Sequence, residues 1–162
     1  MIDMSSQVEK ELAKLGLTLP LAPKPAGNYV GAKRVGNIVY VSGQGPSLTM
    51  ATGERYNVKG RVGRDLAVEE GYEAAKLCAL NCLSQLKSLI GNLDKVESVL
   101  KVTGFVNSAD GFSKQPSVMN GFTDLLAKIF GPERGIPTRI ALPASLEGWL
   151  AVEADMIVSI KE

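Results

Sequence analysis

Histidine is absent from this chain. Its absence removes the commonest general base near neutral pH, the commonest zinc ligand and every serine–histidine or cysteine–histidine nucleophile pair. Cysteine is scarce: Cys78 and Cys82 are the two present. They lie four apart in a helical pattern, without the CxxC spacing or second ligand pair that a metal site needs, so they are expected to be small buried thiols. An excess of charge is also missing. Eighteen basic side chains against seventeen acidic ones leave a net charge of +1, which gives no general attraction to phosphate backbones or anionic lipid. Any partner must be recognised locally. No apolar run reaches the roughly 18 residues that a membrane span requires. Residues 1–16 mix charge with Leu and Val in place of a signal-peptide core, so a cytoplasmic location is expected. There is no internal repeat and no low-complexity segment.

What is present suits one globular domain: 162 residues, 45% hydrophobic and 22% charged, are enough for a core of their own and too few for two. Ser6-Gln7-Val8-Glu9 has capping-box spacing, and Val8, Leu12 and Leu15 form a stripe that stops at Gly16, predicting a short amphipathic helix. Residues 17–28 hold Pro20, Pro23 and Pro25 and should run extended as a surface arm. The domain is expected to occupy residues 21–162, with residues 1–20 as an N-terminal helix and arm. Residues 29–33 and 38–42 read as strands joined around Gly36-Asn37, a hairpin signal. Residues 50–63 are polar and glycine-punctuated, hence loop or edge strand.

From Asp65 the period changes. Tyr72, Ala75, Ala79, Leu83, Leu86 and Ile90 recur at steps of three and four, predicting a long helix with Asp65 as its cap, Glu69 and Glu70 at its positive end and Gly91 at its stop. Residues 96–106 return to β-type side chains, with Leu100, Val102 and Val106 on one face and Val99, Thr103 and Phe105 on the other. Two semi-apolar faces mark an internal strand. Val118, Phe122, Leu125 and Ile129 describe a second helix, with Pro116 near its start and Gly131-Pro132 beyond its end. Residues 139–142 and 150–160 supply the last strands. The order predicts an α+β sandwich, two helices on one face of a sheet, and the uncovered apolar face calls for another subunit.

Several motifs follow one another along this pattern: Gly27-Asn28-Tyr29, Val39-Tyr40-Val41-Ser42-Gly43-Gln44, Val99-Leu100-Lys101-Val102-Thr103, Asn120, Thr138-Arg139, and Val152-Glu153-Ala154-Asp155. In this order and spacing, over residues 21–160, the chain resembles the Rid family of reactive intermediate deaminases. This is also the YjgF family, in older usage the L-PSP endoribonucleases. The resemblance implies a chorismate-mutase-like α+β fold and a homotrimer with sites in the clefts between subunits.

It also implies site residues. Arg139 matches the arginine that holds the substrate carboxylate, for which a planar guanidinium fork is suited. Asp155 matches the position of a glutamate that orients or activates water, one methylene shorter here, and Glu153, two positions earlier on the same strand face, is the substitute. Tyr29 resembles the family's site tyrosine, and Ser42-Gly43-Gln44 the turn that lines the pocket, where Gly43 lets a ligand approach the backbone. The backbone carbonyl of Ala141 falls where an acceptor for substrate nitrogen or water is placed, and Asn120 acts as a clamp at the helix start. Residues 111–118 form a longer rim than is usual in these deaminases.

The implied reaction is hydrolysis of a reactive 2-imino acid or its enamine tautomer, such as 2-iminobutanoate or 2-aminoacrylate, to the 2-oxo acid and ammonia. No metal or organic cofactor is implied, because an imine is already electrophilic and needs only positioning and proton transfer. Two other readings stay open: a carboxylate-binding or sensing trimer without useful catalysis, and the ribonuclease or translation inhibitor of the older name. The lack of histidine, of basic excess and of aromatics among basic residues argues against nucleic acid.

Overall fold

A computed structural model describes residues 6–162. Helix α1 (Gln7–Lys14) starts where Ser6 Oγ accepts the Glu9 amide at 3.3 Å. A second cap comes from far along the chain: the Asp94 carboxylate accepts the Gln7 and Val8 amides at 2.8 and 2.9 Å. Val8 and Leu12 enter the core, whereas Leu15 stays exposed. Lys87 Nζ meets Glu9 at 2.7 Å and ties the helix down. The arm of residues 17–31 then leads to β1 (Ala32–Val35) and β2 (Ile38–Gln44), which turn through Gly36-Asn37 with Val35 opposite Ile38. Tyr29, expected in the first strand, lies in the bend before β1. A small hairpin, β3 (Ser47–Thr49) and β4 (Arg55–Asn57), stands apart from the main sheet.

Helix α2 (Val68–Ile90) has Ala67, not Asp65, at its N-cap. Asp65 accepts the Arg61 amide and pairs with Arg64, holding the preceding turn, and the Glu70 carboxylate accepts the Ala67 amide at 2.7 Å. The acceptor thus comes from inside the first turn, half of a capping box. Gly91 ends the helix at φ +85°, as its position implied. Ala74, Ala75, Cys78, Ala79 and Cys82 are fully buried, and this small-residue stripe lets the helix lie close to the sheet. The Cys78 thiol is directed to the Val152 carbonyl and the Cys82 thiol to the Ala154 carbonyl, each at 3.6 Å. Burial pushes both thiols well above their ordinary pKa, so they are inert packing groups.

Strand β5 (Val96–Val106) leads through a loop to α3 (Gln115–Phe130), then a single turn α4 (Pro132–Gly135), β6 (Thr138–Pro143) and β7 (Val152–Ile160). The sheet order is β1-β2-β7-β5-β6, antiparallel throughout except for β5 with β6. That parallel pair needs a crossover, which α3 supplies. On β5 the expected faces hold only in part. Register shifts at residues 96–98 and 99–101 reset the alternation, so Val99 joins Val102 and Val106 beneath the helices and Leu100 turns outward.

Both long helices cover one face of the sheet. Val39, Val41, Val152, Ala154, Met156 and Val158 point into that layer and are buried. The alternate residues, among them Tyr40, Phe105, Ile140, Leu142 and Ile157, lie on the face without helices, where Tyr40, Ile140 and Leu142 are exposed. Among the described residues no helix is long and apolar enough to cross a membrane.

Candidate functional site

Arg139 is fixed from the helix side. It stands on the edge strand β6 opposite Val102, a buried residue, so its side chain turns toward α3. There its Nη1 donates to Asn120 Oδ1 at 2.9 Å and Thr123 Oγ1 at 3.0 Å, and Nη2 donates to the Pro116 carbonyl at 3.2 Å. All three acceptors are uncharged, and Arg139 is in no ion pair among the described residues. The acid on the neighbouring turn, Asp124, instead accepts from the Tyr72 hydroxyl at 2.7 Å, a bond that pushes the phenol up to about 12. Burial lowers the Arg139 pKa, yet a guanidinium stays protonated. The result is an oriented cation at a sheet edge, in no direct ion pair among the described residues, on which the nearby Asp124 carboxylate acts only through space.

Asn120, expected at the helix start, lies in the second turn of α3 and helps hold the Arg139 guanidinium. Thr123 and the Pro116 carbonyl, not foreseen as partners, complete the clamp; the signal was the Asn120-x-x-Thr123 spacing, which puts both side chains on one helix face. This face is held rigidly, because α3 crosses α2 at Gly121, where a Cβ would fall 1.9 Å from the Tyr72 carbonyl oxygen. Ala141 lies two residues beyond Arg139 on the same face, opposite Gly104.

A second group of residues gathers elsewhere. Strand β2 bulges between Val41 and Gln44, opposite β7, and the bulge carries Gly43. A Cβ on Gly43 would lie 2.8 Å from Glu153 Oε1, so only glycine leaves that carboxylate its place. Glu153, Gly43 and Tyr29 line a cavity of about 170 Å³ at the end of β2. Tyr29 is half exposed, and its hydroxyl accepts the Ala26 amide at 3.1 Å. Burial raises the pKa of Glu153 above the ordinary carboxylate range, with help from the neighbouring charges of Glu147 and Asp155. Asp155 lines the adjoining groove with Lys33, Lys101 and Thr103, and Tyr29 borders both. The motif match favoured Asp155; the geometry sets Glu153 beside Gly43, because the bulge brings that glycine over the earlier residue.

The two groups do not meet within one chain. Glu153 pairs with Phe105 on the open face and Arg139 with Val102 on the helix face. Their strands are two spacings apart, about 10 Å. Among the described residues no three potential metal ligands cluster.

With this geometry in hand, comparison with known proteins is decisive. Residues 9–146 match the model of the family described as "YjgF/chorismate_mutase-like, putative endoribonuclease". The chain belongs to the YjgF/Rid family. The matched region takes in most of α1, which the motifs alone had left outside. A Trypanosoma cruzi relative, Protein TCP17, is 40% identical over 157 residues, covering 96% of each chain. Among solved structures, Atu1372 from Agrobacterium tumefaciens, a protein of unknown function, is 43% identical with a TM-score of 0.85, over 96% of this chain and 93% of that one. A Shewanella oneidensis structure named a putative endoribonuclease is 29% identical with a TM-score of 0.86, over 94% and 99%. The mixed sheet with helices on one face is thus the chorismate-mutase-like fold of the YjgF/Rid proteins.

Proposed function

We propose that this protein is a deaminase that hydrolyses reactive 2-imino acids, in clefts that Arg139 of one subunit and Glu153, Gly43 and Tyr29 of the next complete together. The observation that carries the reading is the Arg139 clamp: three neutral acceptors aim a guanidinium that is bonded to no carboxylate among the described residues. Such a group is set up for an external carboxylate, received through a planar fork.

The chemistry follows from the substrate. Water adds through its oxygen to the imine carbon, and one water proton passes to Glu153, whose proton affinity burial raises above that of an ordinary carboxylate. Glu153 returns that proton to nitrogen and the hydroxyl proton follows, so both water protons leave with ammonia as the C–N bond breaks and the C=O bond forms, giving the 2-oxo acid. No electrons are exchanged. Asp155, in the adjacent groove, acts on the field at Glu153 and not on the substrate.

A ribonuclease reading follows from the family description, but the chain offers no histidine and a net charge of only +1. The test is ammonia release from freshly generated 2-iminobutanoate, run beside cleavage of single-stranded RNA. Accelerated ammonia release that Arg139→Ala abolishes is the expected result. Absence of release, with carboxylate binding retained, would make the protein a sensor, and cleavage of RNA would overturn the reading altogether.

A further inference from the structure

Trp149 is the one non-glycine residue with a positive φ among the described residues, at +59°, and Gly148 before it stands at +61°. A left-handed conformation is uncommon for any side chain and an outlier for one so bulky. It persists only where the surroundings over-determine it. Residues 144–149 bury no side chain, so packing into the core does not impose it here.

The neighbouring loop does. The Trp149 carbonyl accepts the Gly60 amide at 2.9 Å and the Ala151 amide donates to the Val58 carbonyl at 3.1 Å, with Leu150 facing Lys59 between these bonds. Two guanidiniums lie over the indole, Arg61 at 5.1 Å and Arg64 at 5.7 Å from the ring centroid, both within cation–π reach. Asp65 braces them: it accepts the Arg61 amide at 2.8 Å and the Arg64 guanidinium at 3.0 and 3.1 Å. Between the two arginines Val62 is fully buried, and its amide donates to the Asn107 carbonyl at 2.8 Å. The cradle is anchored in the core, whereas the turn it holds lies on the surface.

That turn reaches the cavity at the end of β2. Glu147 and Leu150, on either side of Gly148-Trp149, both line it together with Glu153, while the indole faces the arginines. Leu150 packs on the chain just past β2, where a Cβ at Gly45 would lie 2.9 Å from Leu150 Cδ1. Glu147 is close enough to act on the charge of Glu153. One wall of the cavity thus depends on a turn that only the Trp149 cradle keeps in its left-handed form.

We propose that Trp149 is a positioning residue: stacked on Arg61 and Arg64, it holds Glu147 and Leu150 as the wall against which the carbon chain of the substrate is seated. The proposal rests on the shared-cleft reading, in which that substrate also meets Arg139 of the neighbouring subunit. Freed from the cradle, the turn relaxes toward ordinary φ values and the wall moves off Gly45.

Three variants of the full chain test this. Trp149→Gly keeps the left-handed turn accessible and removes the ring, Arg61→Ala with Arg64→Ala keeps the ring and removes the cradle, and Trp149→Phe keeps an aromatic face. Calorimetry with 2-oxobutanoate should show affinity lowered by roughly tenfold in the first two, since small misplacements within a site are that costly. Most of it should return in Trp149→Phe, and kcat/KM for freshly generated 2-iminobutanoate should follow the same order. Trp149 is the sole tryptophan, so acrylamide quenching of its emission reads the cradle itself and should rise in the arginine pair. Should Trp149→Gly fail to fold, the arginine pair decides alone. Wild-type affinity in either variant, with or without a lower Tm, overturns the assignment, as does unchanged quenching in the arginine pair. Weakened binding in a protein that hydrolyses no imine upholds the positioning role and overturns the deaminase; hydrolysis that none of the variants alters does the reverse. A wild type that neither binds 2-oxobutanoate nor hydrolyses the imine overturns both.

Discussion

At Arg139 a single side chain combines charge, orientation and freedom from any direct ion pair among the described residues. Arg139→Lys keeps the charge and loses the planar fork, so affinity for 2-oxobutanoate should fall by about 1.5–3 kcal/mol, the worth of a charged hydrogen bond. Titration calorimetry reads this directly, and an unchanged affinity would remove Arg139 from the site. Glu153 makes a prediction with the opposite sign for stability. Its folded-state pKa is raised, chiefly by burial, so the folded protein holds the proton more tightly than the unfolded chain. Stability is therefore lost as pH rises from the ordinary glutamate value through the raised one. Glu153→Gln should raise Tm at pH 7 and have no effect at pH 3, while turnover collapses. Solvent at this half-buried carboxylate limits the gain to about 1–3 °C. Asp155→Asn, one groove away, should leave most of the turnover. Loss in Asp155→Asn with full activity in Glu153→Gln would reverse the assignment. Arg139, Gly43 and Tyr29 stood out in the sequence through their motifs, and the proposed site is built on them. The sequence could not rank the two acids, because two residues of one parity look alike until a bulge in the facing strand selects one.

The elements owe their positions to a few long-range contacts. Helix α1 was visible from Ser6 and its apolar stripe, but the partner that anchors it was not. Asp94 is 86 to 88 residues away from the groups it caps, and no local pattern reports such a distance. Asp94→Ala should cost about 1–2 kcal/mol, the usual worth of an N-cap, and should release α1 before the rest unfolds, which amide exchange would show as early loss of protection confined to residues 7–14. Uniform loss across the chain would contradict it. Gly121 governs the approach of α3 to α2. Gly121→Ala sets a Cβ against the Tyr72 backbone, and overpacking of this kind costs about 1–3 kcal/mol. Because the helix also carries Asn120 and Thr123, the same change should weaken carboxylate binding, whereas a purely local strain would lower Tm alone. The helical periods were legible since they are set by burial along a single element. The strand faces of β5 were not, since the register shifts that break their alternation are imposed by β7.

At the scale of the molecule, one face of the sheet has no cover. The pattern predicted two helices on one side, and the exposure of Tyr40, Ile140 and Leu142 on the other shows what that leaves. Under the proposed reading this face is buried against further copies, in clefts completed by groups that a single chain keeps on opposite faces. Light scattering should accordingly find a trimer at micromolar concentration. The central claim, that Arg139 and Glu153 act across a subunit boundary, is tested most directly by complementation. Arg139→Ala and Glu153→Gln are each inactive alone; unfolded together, refolded at equal amounts and confirmed as mixed trimers, they should regain activity. In a ring with each cleft built from two neighbours, every mixed trimer has one intact cleft of its three, so about one quarter of all clefts in the randomly assembled population inherit both intact residues. Recovery of ammonia release near that fraction is the predicted result, and mixed trimers with no activity would contradict the shared site.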